Sequence, residues 1–309
     1  MTNSQPAVRH AGHMPPSGDR NALIASGVLT GIYFVIELGL GIWSGSVAVL
    51  SDAFHTFSAV GGVLIALVAQ RLSERPATTE QTFGRDRAEI IGALFNGLFL
   101  AIMAVYVFWM GAMRLMEPMH LSTTIMLYAA AGGIVTEIIY LWLLYKRQKD
   151  NLNIKGAFSH ILQTFVGSLT IIVSAVVIRL TGFLAVDPLL GMGSGVVLLW
   201  ASWSIIRSAL RILLQVTPEG FDLDAVVRKL QSITGVKDIH HAHAWGLTSG
   251  RNLFSTHVRV DSFEKDGERV LHEVSDLLKH GFDVYFSNIQ IEEKCVSAAE
   301  GAKAIDIMK

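Results

Sequence analysis

Six apolar stretches constrain this chain more than anything else in it. They run at roughly 22–43, 46–70, 88–112, 121–145, 154–179 and 184–206. A helix needs about 20 apolar residues to cross a hydrocarbon core roughly 30 Å thick, and each stretch meets that length. The breaks between them are short and polar, as in Trp43-Ser44-Gly45-Ser46, Arg71–Arg87, Glu117-Pro118 and Lys146–Asn153. The pattern predicts six transmembrane helices. The first 20 residues are polar and lack the apolar centre of a cleaved leader, so they read as a disordered cytosolic tail.

Charge then divides the chain. Of 25 Lys+Arg and 26 Asp+Glu, the last 93 residues hold 11 and 15. The change falls at Thr217-Pro218-Glu219-Gly220, where a Pro and a Gly follow the last apolar stretch. The reading is a tail at 1–20, a membrane domain at 21–216, a soluble domain at 217–295 and a frayed end at 296–309. Overall the chain is 51% hydrophobic and only 17% charged, with mean hydropathy +0.45. Soluble chains carry about 25% charged residues. One Cys and seven Pro exclude a disulfide scaffold or a collagen-like fibre. With net charge −1 and no basic stripe, nucleic acid is not an expected partner.

Orientation follows from Lys and Arg in short loops. Arg71, Arg75, Arg85, Arg87, Lys146, Arg147, Lys149, Lys155, Arg207 and Arg211 fall on one side, with Arg9 and Arg20. Only Arg114 and Arg179 fall on the other. Both termini are therefore expected in the cytosol, with the bilayer of the plasma (inner) membrane as surroundings. In the soluble part, Leu223–Ile233 reads as a helix and Val236–Leu247 and Leu253–Val260 as strands. A second helix follows from the spacing of Val270, Leu271, Val274, Leu277 and Leu278, and Asp283–Ile291 reads as a last strand. The order is αββαβ.

Ionisable groups at membrane depth are costly, so each is a functional candidate. Segment two carries Asp52 and His55, segment five His160, segment one Glu37 and segment four Glu137. At 1.5 Å per residue, His55 lies about 14 Å and His160 about 9 Å inside the slab. Glu37 and Asp52 form an outer level, and Glu137 approaches the depth of His160. Neutral imidazoles are common ligands for borderline divalent metals, so a metal or proton site between segments two and five is expected. The competing reading is histidines bonded to neighbouring helices. Glu37 fits a structural role as well as a functional one. Asp187, before Pro188, reads as the N-cap of segment six.

These motifs resemble a known family. Ser51-Asp52-Ala53-Phe54-His55, Phe83-Gly84-Arg85-Asp86-Arg87-Ala88-Glu89-Ile90 with Asn96, and Asn151 through His160 are similar to the second, third and fifth helices of cation diffusion facilitators. Asp187-Pro188 and Thr217-Pro218-Glu219-Gly220 resemble the sixth helix and its link to the cytosolic domain. The resemblance implies a homodimeric exporter of divalent metal ions, zinc foremost, driven by proton antiport, with a metallochaperone-like cytosolic domain. It also implies two His/Asp-x-x-x-Asp pairs, one on helix two and one on helix five. Here His55 and His160 remain, but the second positions are Ala59 and Thr164. Two neutral imidazoles hold a dication poorly, so the expected site is rebuilt from His55, His160, Asp52 and Glu137. The other reading is a non-transporting relative, a partner subunit or membrane-anchored metal sensor. An enzyme ranks third, since no nucleophile–base pair or phosphate-binding loop is visible.

For the cytosolic domain the resemblance implies metal ligands at His240, His257 and Glu292, with His243 as an extra donor. A histidine in some relatives stands where this chain has Gln290. Strict alternation puts His241 and His243 on one face with Trp245, and His240 on the other.

Overall fold

The computed structural model describes the backbone of residues 17–73, 77–145 and 152–294; side chains are described over 27–139, apart from positions 59, 62, 63, 66, 67, 69, 70 and 73–76, and over 164–294. The expectations for residues 1–16, for Cys295 and the frayed end, and for the side chains of Ala59 and His160 lie outside the described residues.

Six helices come first: α1 (Ser17–Ser44), α2 (Val47–Ser73), α3 (Arg87–Met116), α4 (Thr123–Tyr145), α5 (Leu152–Thr181) and α6 (Val186–Leu213). Glycine ends two of them. Gly45 at φ 70° and Gly182 at φ 71° occupy the left-handed region that a helix C-terminus commonly needs. Among the described residues four helical spans are long and apolar enough to cross a membrane: Gly27–Ser44, Arg87–Met116, Thr164–Thr181 and Val186–Leu213. Thr123–Ile139 is a shorter apolar helix. The membrane domain is thus helical, with four strongly apolar helices.

The burial pattern inverts that of a water-soluble bundle. Val35 and Ile36 are 66% and 53% exposed, while the neighbouring Glu37 is fully buried. Apolar side chains face out because lipid receives them, and polar ones turn inward towards partners. Helix α4 packs against α1 and α5. The contact core uses small residues, Ala48, Ala129, Ala130 and Ala175, with Val49, Met126 and Ile171. Small side chains let helix backbones approach closely where no water drives association.

The C-terminal domain runs α7 (Leu223–Gln231), β1 (Val236–Thr248), β2 (Arg251–Val260), α8 (Phe263–Asp276), a π-turn at Leu277–Gly281, and β3 (Val284–Glu292). Its sheet is mixed, in the order β1-β2-β3, with β1 antiparallel and β3 parallel to β2. A parallel pair needs a crossover, which α8 supplies. Val226, Val227 and Leu230 of α7 and Val270 and Val274 of α8 meet Ile239, Ala242, Phe254 and Val258 in one core.

The chain clusters into two compact units, Met1–Leu64 with Phe99–Ala201, and Ile65–Leu98 with Ser202–Lys309. In the second, the β1–β2 hairpin is fastened to the start of α3. Arg251 pairs with Asp86 at 2.6 Å, and the Thr248 hydroxyl donates to Glu89 at 3.0 Å.

Candidate metal sites

In the first unit, four helices contribute polar residues at one recurring spacing. Helix α1 brings Tyr33 and Glu37, α2 brings Asp52, His55 and Thr56, α4 brings Gly133 and Glu137, and α5 brings Thr164, Gly167 and Ser168. Intervals of three and four residues place each set on one helical face. Glu37 accepts a hydrogen bond from the Thr56 hydroxyl at 3.1 Å, and its carboxyl lies within hydrogen-bonding reach of Asp52. The Tyr33 hydroxyl donates to the Ala129 carbonyl at 3.0 Å.

Asp52 is buried against α5 at Gly167. A Cβ at position 167 would collide with the Asp52 carboxylate, so the glycine keeps that space for oxygen. Glu137, also buried, accepts from Ser168 at 3.1 Å and is bonded to Thr164. It also interacts electrostatically with Asp52. His55 is half-buried and lines a cavity of about 90 Å³ with Ser51, Asp52, Val166, Gly167 and Thr170. Asp52 thus interacts with both Glu37 and Glu137. Of the four residues expected to form this site, Asp52 and His55 share one cavity and Glu137 acts on Asp52 electrostatically, but among the described residues the three do not bring their ligand atoms within 4.8 Å of one another. The side chain of His160 lies outside the described residues.

Two buried acceptors here lack donors. Glu37 Oε1 and Glu137 Oε2 have no hydrogen-bond partner among the described residues. An unsatisfied buried carboxylate oxygen is expensive.

Asp187 corrects an expectation. It does not cap its own helix, which already begins at Val186 and continues with Pro188, a residue with no N–H to satisfy. Its carboxylate instead accepts from Ser46 Oγ at 2.5 Å, from the Val47 amide at 2.7 Å and from Ser174 at 3.4 Å. It thereby caps α2 from another helix.

The second cluster lies on the mixed sheet. His240 pairs across the ladder with His257, and His257 pairs with Gln290 of β3. His240 Nε2 lies 2.8 Å from Glu292 Oε1, and His257 Nδ1 lies 3.6 Å from Glu292 Oε2. One ligand atom from each of the three lies within 4.8 Å of the others, a spacing that a single metal ion can bridge. Gln290 donates to Glu292 at 3.2 Å, and Asp238 lies 3.3 Å from His240 Nδ1. Such outer partners orient ligand side chains.

The expected facing of β1 is wrong at one residue. His241 adopts φ 50°, and the ladder shifts register between His240 and His243. This bulge inserts an extra residue, so Ile239, Ala242 and Ala244 all reach the core. His240 therefore joins His243 and Trp245 on the opposite face. The bulge also carries the His241 ring to 5.0 Å from His257 and 5.3 Å from His240. His243 pairs with Ser255 and stands outside the three-residue group. Burial lowers the pKa of His257 from 6.5, the imidazoles of His240, His241 and His243 add to that, and Glu292 pulls the other way. The result favours the neutral ring, which is the form that binds a metal.

Sequence reasoning missed Gly167, His241 and the contact between Glu37 and Asp52. Depth arithmetic did place the last two on one level. A bulge and a cross-helix contact leave no periodic signal.

The cation efflux transmembrane domain matches residues 23–214, about two-thirds of the chain. The chain belongs to the cation efflux family. The family's cytoplasmic domain matches residues 218–294. The metal cation efflux system protein CzcD of Cupriavidus metallidurans is 33% identical over 94% of this chain and 92% of that protein. A cadmium, cobalt and zinc/H(+)-K(+) antiporter of Bacillus subtilis is 31% identical over 87% and 88%. The zinc transporter ZitB of Escherichia coli is 29% identical over 91% and 90%.

Proposed function

We propose that this member of the family exports a divalent metal cation, zinc foremost, from the cytosol in exchange for protons. It does so as a homodimer in the plasma (inner) membrane, with six spans over residues 21–216 and both termini cytosolic. Residues 217–295 form the cytosolic domain that joins two protomers. The observation that carries this reading is the position of Glu137. Its carboxylate is bonded to Thr164, where the family pattern has an aspartate, and so supplies charge to helix five from helix four. Asp52 does the same on helix two, one turn before His55. With His160 these form a cargo site of imidazoles and carboxylates.

Such ligands bind a cation when deprotonated and release it when protonated, so a proton gradient can load the site on one side and empty it on the other. The relatives named as exporters and as a metal/H(+)-K(+) antiporter support the same exchange. In the cytosolic domain, His240, His257 and Glu292 hold a second ion, with His243 as a further donor at the rim, and report metal load to the dimer. The experiment is a reconstitution. Purified protein in liposomes with a trapped pH dye is given an outward proton gradient and external zinc. Zinc-dependent proton efflux supports the proposal; a liposome in which zinc moves no protons and does not accumulate overturns it.

A further inference from the structure

We propose that His241 is a fourth ligand of the cytosolic ion and closes His240, His257 and Glu292 into a tetrahedral site of three imidazoles and one carboxylate, a set that suits zinc. This rests on the cytosolic half of the reading above and deepens it.

The backbone singles His241 out. Among the described residues three non-glycine positions have positive φ: Gln215 at 56°, Asp283 at 51° and His241 at 50°. Gln215 and Asp283 lie in connections, after α6 and before β3, whereas His241 lies inside β1. A side chain with a Cβ is uncommon in this conformation, and a strained residue held inside regular structure points to a functional constraint. Without the bulge, alternation after the buried Ile239 turns His241 towards the apolar core. A bulge that served only to keep an imidazole out of the core could leave the ring in water. Instead His241 is half-buried, with its ring beside those of His240 and His257.

The three imidazoles form a nearly equilateral triangle. Ring centres are 5.3 Å apart for His240 and His241, 5.3 Å for His240 and His257, and 5.0 Å for His241 and His257. Two imidazoles on one tetrahedral zinc, each bound through nitrogen at about 2.0–2.1 Å, hold their ring centres about 5 Å apart. The His241 nitrogens stand outside the three-residue group. A turn about the Cβ–Cγ bond, a torsion with broad wells, redirects them while the ring centre stays nearly in place. Within the group, His257 Nδ1 is buried, 3.6 Å from Glu292 Oε2, and has no hydrogen-bond partner among the described residues. Charge balances as well. Glu292 offsets one charge of a dication, and the Asp238 carboxylate, 3.3 Å from His240 Nδ1, offsets the other through the ring. Four protein ligands leave no open position, the pattern of a zinc site that retains its ion. His243 then stays at the rim.

The test is zinc calorimetry on the full chain in detergent micelles, with wild type, His240→Ala, His241→Gly, His241→Asn and His272→Ala. The binding step lost in His240→Ala identifies the cytosolic ion. In His241→Gly and His241→Asn that step is expected to weaken at least about tenfold, the scale on which metal-site partners act. Both replacements accept the left-handed backbone, so the loss belongs to the imidazole. Zinc-free His241→Gly is expected to melt no lower than wild type, while the rise in melting temperature on adding zinc becomes smaller. His272→Ala, exposed on α8, leaves the step unchanged. A step of wild-type strength in either His241 variant overturns the inference, as does an equal loss in His272→Ala. If no zinc step depends on His240, the cytosolic-site reading itself fails. Should His241→Gly not fold, His241→Asn decides by the same step.

Discussion

Two groups of buried carboxylates in the same helical unit differ in one respect, their donors. Asp187 is surrounded by them: two serine hydroxyls and the amides at the start of α2. Glu37 and Glu137 have hydroxyl donors too, but each acts on the Asp52 carboxylate, and one oxygen of each has no hydrogen-bond partner among the described residues. All four are buried, so burial alone does not separate them. A carboxylate that the fold satisfies holds helices together. On the proposed transport reading, a carboxylate oxygen that the fold leaves unsatisfied takes its partner from the cargo. The contrast separates architecture from function more sharply than residue type does.

The comparison can be broken from either side. The largest effect is expected from Asp52→Asn, which removes a charge that the proposed site offers to the cargo: uptake falls about a hundredfold. The metal-free protein melts no lower than wild type, because a repulsive contact has gone. A drop in both uptake and melting temperature would place Asp52 with Asp187. Asp187→Asn is the mirror case. Losing charge-assisted hydrogen bonds costs about 2 kcal/mol of stability, read as a lowered melting temperature, while metal preference stays unchanged. Gly167→Ala comes next. A methyl group driven into the Asp52 carboxylate costs about 1–3 kcal/mol and lowers uptake together with stability.

The sheet cluster sharpens the comparison with a different chemistry. Its donors are mostly imidazole nitrogen, and its one carboxylate, Glu292, accepts from Gln290 and lies 2.8 Å from His240 Nε2. Glu292→Gln is expected to weaken zinc binding by the cytosolic site about tenfold in calorimetry on the full chain. The smallest effect concerns His257. Its pKa is lowered on folding, so between that value and 6.5 the unfolded chain binds more protons than the folded one. Stability from this group is present above 6.5 and is lost as pH falls through that window. An NMR titration of the His257 ring should give a midpoint below 6.5; a midpoint at or above it removes the burial argument.

Much of this was legible in the sequence. The helical stretches, the break at Thr217-Pro218 and the polar residues at membrane depth follow from hydropathy and the 1.5 Å rise. The departures at Ala59 and Thr164 come from the family pattern that the motifs resemble, and Asp52 and Glu137 as substitutes remain proposals argued from helical position and depth. What was not legible depends on contacts between elements. Asp187 lies inside a helix that already begins at Val186 and turns its carboxylate to Ser46 and Val47 at the start of α2, which only the packing of α6 beside α2 reveals. Gly167 matters through the carboxylate lodged against it. His240 changes face because one residue, His241, takes a left-handed conformation, and a period-two reading has no means to count a bulge.

The most direct test of the account is zinc uptake by Glu137→Gln and Asp187→Asn, in liposomes that hold equal amounts of folded protein. The account predicts that Glu137→Gln loses uptake while Asp187→Asn retains it. Uptake by Glu137→Gln at the wild-type rate would contradict the claim that the carboxylate on α4 replaces the one missing from α5.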